Sequence, residues 1–155
     1  MNLKHLGEYQ IWSSMKIREV VEILSDNEYE KEIEGRSVHG ICKHIVGALE
    51  MCFLYAEPIA DGHSVFKVIE EENRQHLMMR WAKLDSKLSE LLIENVERSY
   101  EVNHMSETPF TLQSKDFYLQ YLLHTTYHRG QLALLLASLG KKVPGTDYLF
   151  YFAEK

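Results

Sequence analysis

The sequence predicts an all-α fold, a single domain over residues 1–155 built as a four-helix bundle. Three observations predict it. Four segments repeat their apolar residues at steps of three and four, the spacing of one helix face. Polar stretches carrying Gly or Pro separate those segments. The composition, 45% hydrophobic and 26% charged over 155 residues, is that of one globular domain. A chain of roughly 150 residues buries about two thirds of the surface it exposes when unfolded, enough for one core.

The first helix is expected from about Leu6 to Leu24, with Ile11, Trp12, Met15, Val20, Ile23 and Leu24 as its amphipathic face, and Ser25-Asp26-Asn27 ending it. Residues 26–36 are polar, contain Gly35 and read as a short connection. Ser37 can cap the second helix, which runs to about Tyr55 through Ile41, Ile45, Ala48, Leu49 and Cys52. The third helix is clearest from about Glu70 to Val96, where Leu77, Trp81, Leu84, Leu88, Leu91 and Asn95 form a seam. A start near residue 70 leaves a connection of about 14 residues, long enough to cross the end of a bundle. A helix capped by Ser64 after a short loop is the alternative, and both stay open at this point.

Residues 98–113 break the helical pattern, and Tyr100–His104 and Thr108–Leu112 are candidates for a short extended segment between helices three and four. Ser114 is a candidate cap for the fourth helix, which runs to Leu139 and stops at Gly140. Phe117, Tyr121, His124, His128, Leu132 and Leu135 share its inward face. The tail, residues 143–152, is aromatic enough to pack back onto the helices or against a partner chain.

Charge and patterning exclude several functions. A net charge of −6 with no basic stripe disfavours nucleic acid, whose phosphates need clustered Lys and Arg. No stretch approaches 18 uninterrupted apolar residues, so no membrane span is expected. The first residues lack the apolar run of a signal peptide, and Cys42 and Cys52 read as buried free thiols, so a cytoplasmic protein is expected.

His124-Thr125-Thr126-Tyr127-His128-Arg129-Gly130-Gln131 carries most of the chemical information. Side chains at i and i+4 stack on one helix face, so the rings of His124 and His128 can reach one point. Two partly buried imidazoles without a partner would lose solvation, and a divalent zinc, nickel or iron ion relieves that cost. No Glu lies between them, so the general base of an H-E-x-x-H metalloprotease is missing. A catalytic site usually needs a third ligand. On position alone His44 is the best candidate, sharing a face with Ile41, Ala48, Met51 and Tyr55, and His39 is the second. His5, His63, His76 and His104 lie near termini, in loops or off the main seam.

With these motifs in view, the whole chain resembles the DinB/YfiT-like superfamily of four-helix-bundle metal proteins, which includes damage-inducible proteins and thiol-dependent S-transferases. The resemblance rests on Tyr9-Gln10-Ile11-Trp12, on Ser37 through His44, on His124-x-x-x-His128-Arg129-Gly130-Gln131, and on Leu139-Gly140 through Pro144 and Asp147. Gln10 departs from the Asn common at that place. The resemblance implies an up-down-down-up bundle, a homodimer, and a site made by His44, His124 and His128. It also suggests transfer of a low-molecular-weight thiol to an electrophilic substrate.

A three-histidine centre can instead activate water, which makes a metal-dependent hydrolase the alternative, and a non-catalytic, stress-responsive metal- or ligand-binding dimer is a third reading. Tyr121 could donate a hydrogen bond at the site, and Arg129 could orient a substrate carboxylate or pair with an acidic residue of the bundle. Gln131 could hydrogen-bond a ligating imidazole. Gly130, costly within a helix by about 1 kcal/mol relative to Ala, is expected to permit close approach of a neighbouring element.

Overall fold

The computed structural model describes residues 3–56, 73–94, 96–102 and 107–155. In chain order these form α1 (Leu3–Glu22), α2 (Asp26–Glu30), α3 (Val38–Ala56), α4 (Arg74–Glu94), β1 (Ser99–Val102), β2 (Phe110–Gln113), α5 (Ser114–Ser138) and α6 (Tyr148–Ala153). The expectation of a simple four-helix bundle is therefore wrong. Among the described residues there are six helices and a two-stranded antiparallel sheet. Four longer helices stand close to the predicted segments, and the two extra ones arise from stretches read as connection and tail. The crossover through residues 57–72, including any cap at Ser64, lies outside the described residues.

Local chemistry accounts for both extra helices. Ser25, read as a stop, is also a start: its Oγ accepts from Glu28 N at 3.3 Å, while Glu28 Oε2 accepts from Ser25 N at 2.9 Å. That reciprocal capping box begins α2 within one turn of the end of α1. At the other end of the chain, α6 is held by aromatic contacts to α1, with Tyr148 edge-on to Tyr9 at 5.1 Å and Tyr151 against Trp12 at 5.8 Å. Tyr9 Oη also donates to Thr146 O at 2.9 Å. The tail thus packs back on its own chain.

Ser37 caps α3 as expected, its Oγ accepting from Gly40 N at 3.0 Å. Ser114 does not cap α5; Gln113 occupies that position and Ser114 Oγ donates to Val96 O at 2.6 Å, tying the start of α5 to the end of α4. β1 and β2 pair from Ser99 opposite Gln113 to Val102 opposite Phe110, so the sheet leads directly into α5. Gly140, with φ +74, ends α5 in the left-handed conformation that releases a helix.

Within the core, α4 buries Leu77, Trp81, Leu84, Leu88 and Leu92, with Leu91 only half-buried and Asn95 outside the described residues. The first helix differs more. Met15 and Ile23 of its predicted apolar face are exposed, and Gln10, Ser13, Ser14 and Arg18 are buried instead. An apolar count misses this because the face of α1 is built around a polar network. Gln10 Nε2 and Arg18 Nη1 donate to the two oxygens of Asp85, each at 2.8 Å, and Asp85 is completely buried. Gln10 Oε1 in turn accepts from Arg129 Nη1 at 2.8 Å and Thr125 Oγ1 at 3.1 Å. One amide thereby joins α1, α4 and α5. Burial pushes the Asp85 carboxyl up to about 6 against the opposing pull of Arg18, so it is mainly ionised at neutral pH.

Gly7 allows the close approach of α1 and α4, because a Cβ there would collide with Ser89. Gly130 does no such thing. A Cβ on it would meet open space, which overturns the expectation of a packing role, and nothing in the structure explains the glycine. No helix among the described residues is long and apolar enough to cross a membrane.

The network makes a direct prediction about stability. Asp85→Asn keeps the side-chain volume but leaves Arg18 and Arg129 in the core without a counter-charge, and should lower the unfolding free energy by about 3 kcal/mol. Urea denaturation at pH 7 measures it, and a loss below about 1 kcal/mol would show that the carboxylate does not hold the helices together.

Candidate metal centre

The motif on α5 interleaves two i, i+4 pairs. Successive residues of a helix are about 100° apart, so His124 and His128 occupy one face while Thr125 and Arg129 occupy the next. The second pair is buried, with Thr125 at 0% and Arg129 at 1% exposure, and is tied to Gln10. Holding that pair inward turns the histidines to the neighbouring surface, where α3 packs against α5 and presents His44.

His44, His124 and His128 gather there, one nitrogen from each lying within 4.8 Å of the others. Ring centroids are 5.1 Å apart for His44 and His124, 4.3 Å for His44 and His128, and 4.5 Å for His124 and His128. The Nε2 atoms of His44 and His124 are 3.1 Å apart. Two nitrogens each about 2.0–2.1 Å from one zinc ion stand about 2.8–3.4 Å apart in octahedral or tetrahedral arrangements, so the spacing of this pair fits a shared ion. His44 is exposed and the other two are half-buried, an open placement unlike a closed structural site.

Electrostatics favour the same reading. Burial, then the charge of His128, pulls His44 below the ordinary imidazole range. Burial and the two neighbouring rings bring His124 down to about 4. Both rings are therefore neutral at pH 7, the state in which an imidazole nitrogen offers a lone pair. Gln131 Oε1 accepts from Nδ1 of His128 at 2.8 Å, which leaves the Nε2 lone pair of that ring available. The expected contact of Gln131 with a candidate ligand is thus present.

The other histidines lie apart. His39 pairs through Nδ1 with Glu30 Oε2 at 2.7 Å and stacks on Tyr29, which fastens α2 to α3. His5 packs edge-on to Phe152 and His76 contacts Asn73 at the start of α4, while His63 and His104 fall outside the described residues. Tyr121 is buried with its ring edge-on to Phe117 at 5.1 Å. Arg129 points into the core, where Nη1 donates to Gln10 and Ser14 and Nη2 donates to Thr126 Oγ1 at 2.9 Å. The anticipated pairing of Arg129 with an acidic residue is not seen among the described residues; Arg129 donates to Gln10, which in turn donates to Asp85.

Two of the histidines, His44 and His128, border a cleft of about 510 Å³ that is also lined by Glu32, Arg36, Ser37, Tyr127 and Gln131, among others. The edge of the Tyr127 ring meets His128 at 5.0 Å. Sequence reading missed Glu32, Arg36 and Tyr127. Tyr127 was available from its place in the motif, but Glu32 and Arg36 sit in a polar connection with no periodicity to announce them.

Together these features define a class, a helical protein with an open cluster of three histidines that could hold a metal ion. The chain matches the family model described as DinB family over residues 1–155 and belongs to the DinB family. No curated protein and no solved structure matches it.

The contact between Gln131 and His128 has a measurable consequence. Gln131→Ala frees His128 to adopt other tautomers and orientations, and should weaken zinc binding about tenfold. Competition with a chromophoric chelator at pH 7 reads the affinity; wild-type affinity in the variant would remove Gln131 from the site.

Proposed function

We propose that the chain is a divalent-metal-dependent enzyme that transfers a low-molecular-weight thiol to an electrophilic small molecule. The observation that carries the proposal is the cluster of three histidines, two of which, His44 and His128, line an open cleft of about 510 Å³. A divalent ion, when bound, supplies Lewis acidity that favours the thiolate form of a coordinated thiol. His44, His124 and His128 would hold it, and a neutral nitrogen donor set suits zinc, nickel or iron.

The chain's own thiols support an external nucleophile. Cys42 and Cys52 are completely buried, and burial pushes both thiols far up from their ordinary range, which keeps them protonated and unreactive. In the proposed reaction Gln131 orients His128, while Arg129 and Tyr121 act from within the bundle, holding α5 in place without touching substrate.

One observation favours a second reading. Glu32 is the carboxylate lining the cleft, and a carboxylate near a metal-activated water is what a hydrolase needs as a general base.

A single set of assays separates these readings. Protein stripped of metal and reconstituted with zinc, nickel or ferrous iron is offered a panel of small thiols with 1-chloro-2,4-dinitrobenzene. Conjugation that needs both thiol and metal, and that falls to the uncatalysed rate in His44→Ala, is the expected result. Metal-dependent ester or amide cleavage without thiol would replace the proposal with the hydrolase. Full metal loading with no turnover on either panel would leave a non-catalytic binding protein.

A further inference from the structure

We infer that Arg36 is the anchor for a carboxylate on the small molecule that occupies the cleft beside the three histidines. The inference deepens the proposed function and rests on its metal site, adding a recognition element outside that site.

The backbone holds Arg36 in a specific place. Ile33 and Arg36 form an antiparallel bridge, with Ile33 N donating to Arg36 O at 2.8 Å and Arg36 N donating to Ile33 O at 3.1 Å. Between them Glu34 and Gly35 both have positive φ, 52° and 75°, as in a tight two-residue turn of the I′ type. Glycine takes that conformation freely, whereas Glu34 is strained in it. The turn leads directly into Ser37, the cap of α3, so Arg36 is fixed between a closed turn and a helix start.

The side chain is unengaged. Arg18, Arg74 and Arg80 each pair with a carboxylate, and Arg129 is bound into the core network. Arg36 is exposed and makes no ion pair or side-chain hydrogen bond among the described residues. It lines the same cleft as His44, His128 and Gln131, and also the adjoining depression of about 390 Å³ that shares Gln131. In a chain of net charge −6, a free guanidinium at a cleft mouth is a local attractor for anions. Its planar fork matches a carboxylate through two parallel hydrogen bonds. The first turn of α3, which carries no carboxylate, borders the cleft and adds favourable potential.

Glu32 limits the class of ligand. Its carboxylate lines the same cleft and would repel a second negative charge, so a monoanion or an amino-acid-like zwitterion fits better than a dianion. Joined to a metal-seeking thiol, this describes a small mercaptocarboxylate.

The test uses the full chain loaded with cobalt(II), whose visible bands report the metal and whose near-ultraviolet thiolate band reports thiol binding. Mercaptoacetate, 3-mercaptopropionate and 4-mercaptobutyrate are each titrated against the matching amide. At the best-fitting length the acid should bind about tenfold more tightly than its amide, the amount expected for a charge-assisted pair. That ratio should fall to about one in Arg36→Ala and stay intermediate in Arg36→Lys. Equal binding of acid and amide by the wild-type chain, or an unchanged ratio in Arg36→Ala, would overturn the assignment while leaving the metal site intact. Absence of cobalt bands in the wild-type chain would overturn the metal site and this inference with it.

Discussion

The rotation of α5 about its own axis is the constraint on which the site depends, and the side chain of Gln10 sets it. Its amide donates to Asp85 on one side and accepts from Arg129 and Thr125 on the other, so α1, α4 and α5 meet at one residue with no exposure to solvent. A turn of α5 by one residue, about 100°, would bring His124 and His128 inward and leave Gln10 Oε1 without its donors Arg129 and Thr125. Buried polar groups are costly when half-satisfied, which gives this arrangement a steep energetic preference over its rotated alternatives. The two histidines turn toward His44 of α3 because their neighbours in sequence are committed elsewhere.

That commitment lets the site remain open. A structural metal site closes around its ion with four protein ligands, whereas here three imidazoles converge from two helices and His44 stays exposed. Burial, and then the neighbouring rings, lower the protonation of His44 and His124, so these two stand as neutral donors. The polar core thus lies behind α5, and the histidine cluster lies on the surface in front of it. Gln131 and Tyr127 extend α5 along that surface, and the turn before α3 supplies the opposite wall with Glu32 and Arg36.

Local signals in the sequence reached much of this. The i, i+4 spacing of His124 and His128 and the cap at Ser37 are consequences of helix geometry and appear as expected, while His44 joins the pair from an exposed position on α3. The extended stretches before α5 were visible as a break in periodicity. What was missed is local in one case and otherwise depends on contacts between distant residues. Ser25 reads equally as a helix stop and a helix start, and only the pairing with Glu28 decides that a second helix follows. The aromatic tail becomes α6 because α1 offers Tyr9 and Trp12 to receive it. The polar face of α1 is invisible to an apolar count, since its partners Asp85 and Arg129 lie 75 and 119 residues away from Gln10. Arg36 and Glu32 reach the cleft through a turn with two positive φ angles, one of them on a glutamate that propensity would never place there.

X-ray absorption at the metal edge of the zinc-reconstituted chain reads directly whether three imidazoles from two helices share one ion. The expected result is about one zinc per chain with three nitrogen scatterers near 2.0–2.1 Å and the multiple-scattering signature of three imidazole rings. A fit requiring two imidazoles or fewer, or zinc bound through sulfur, would contradict it.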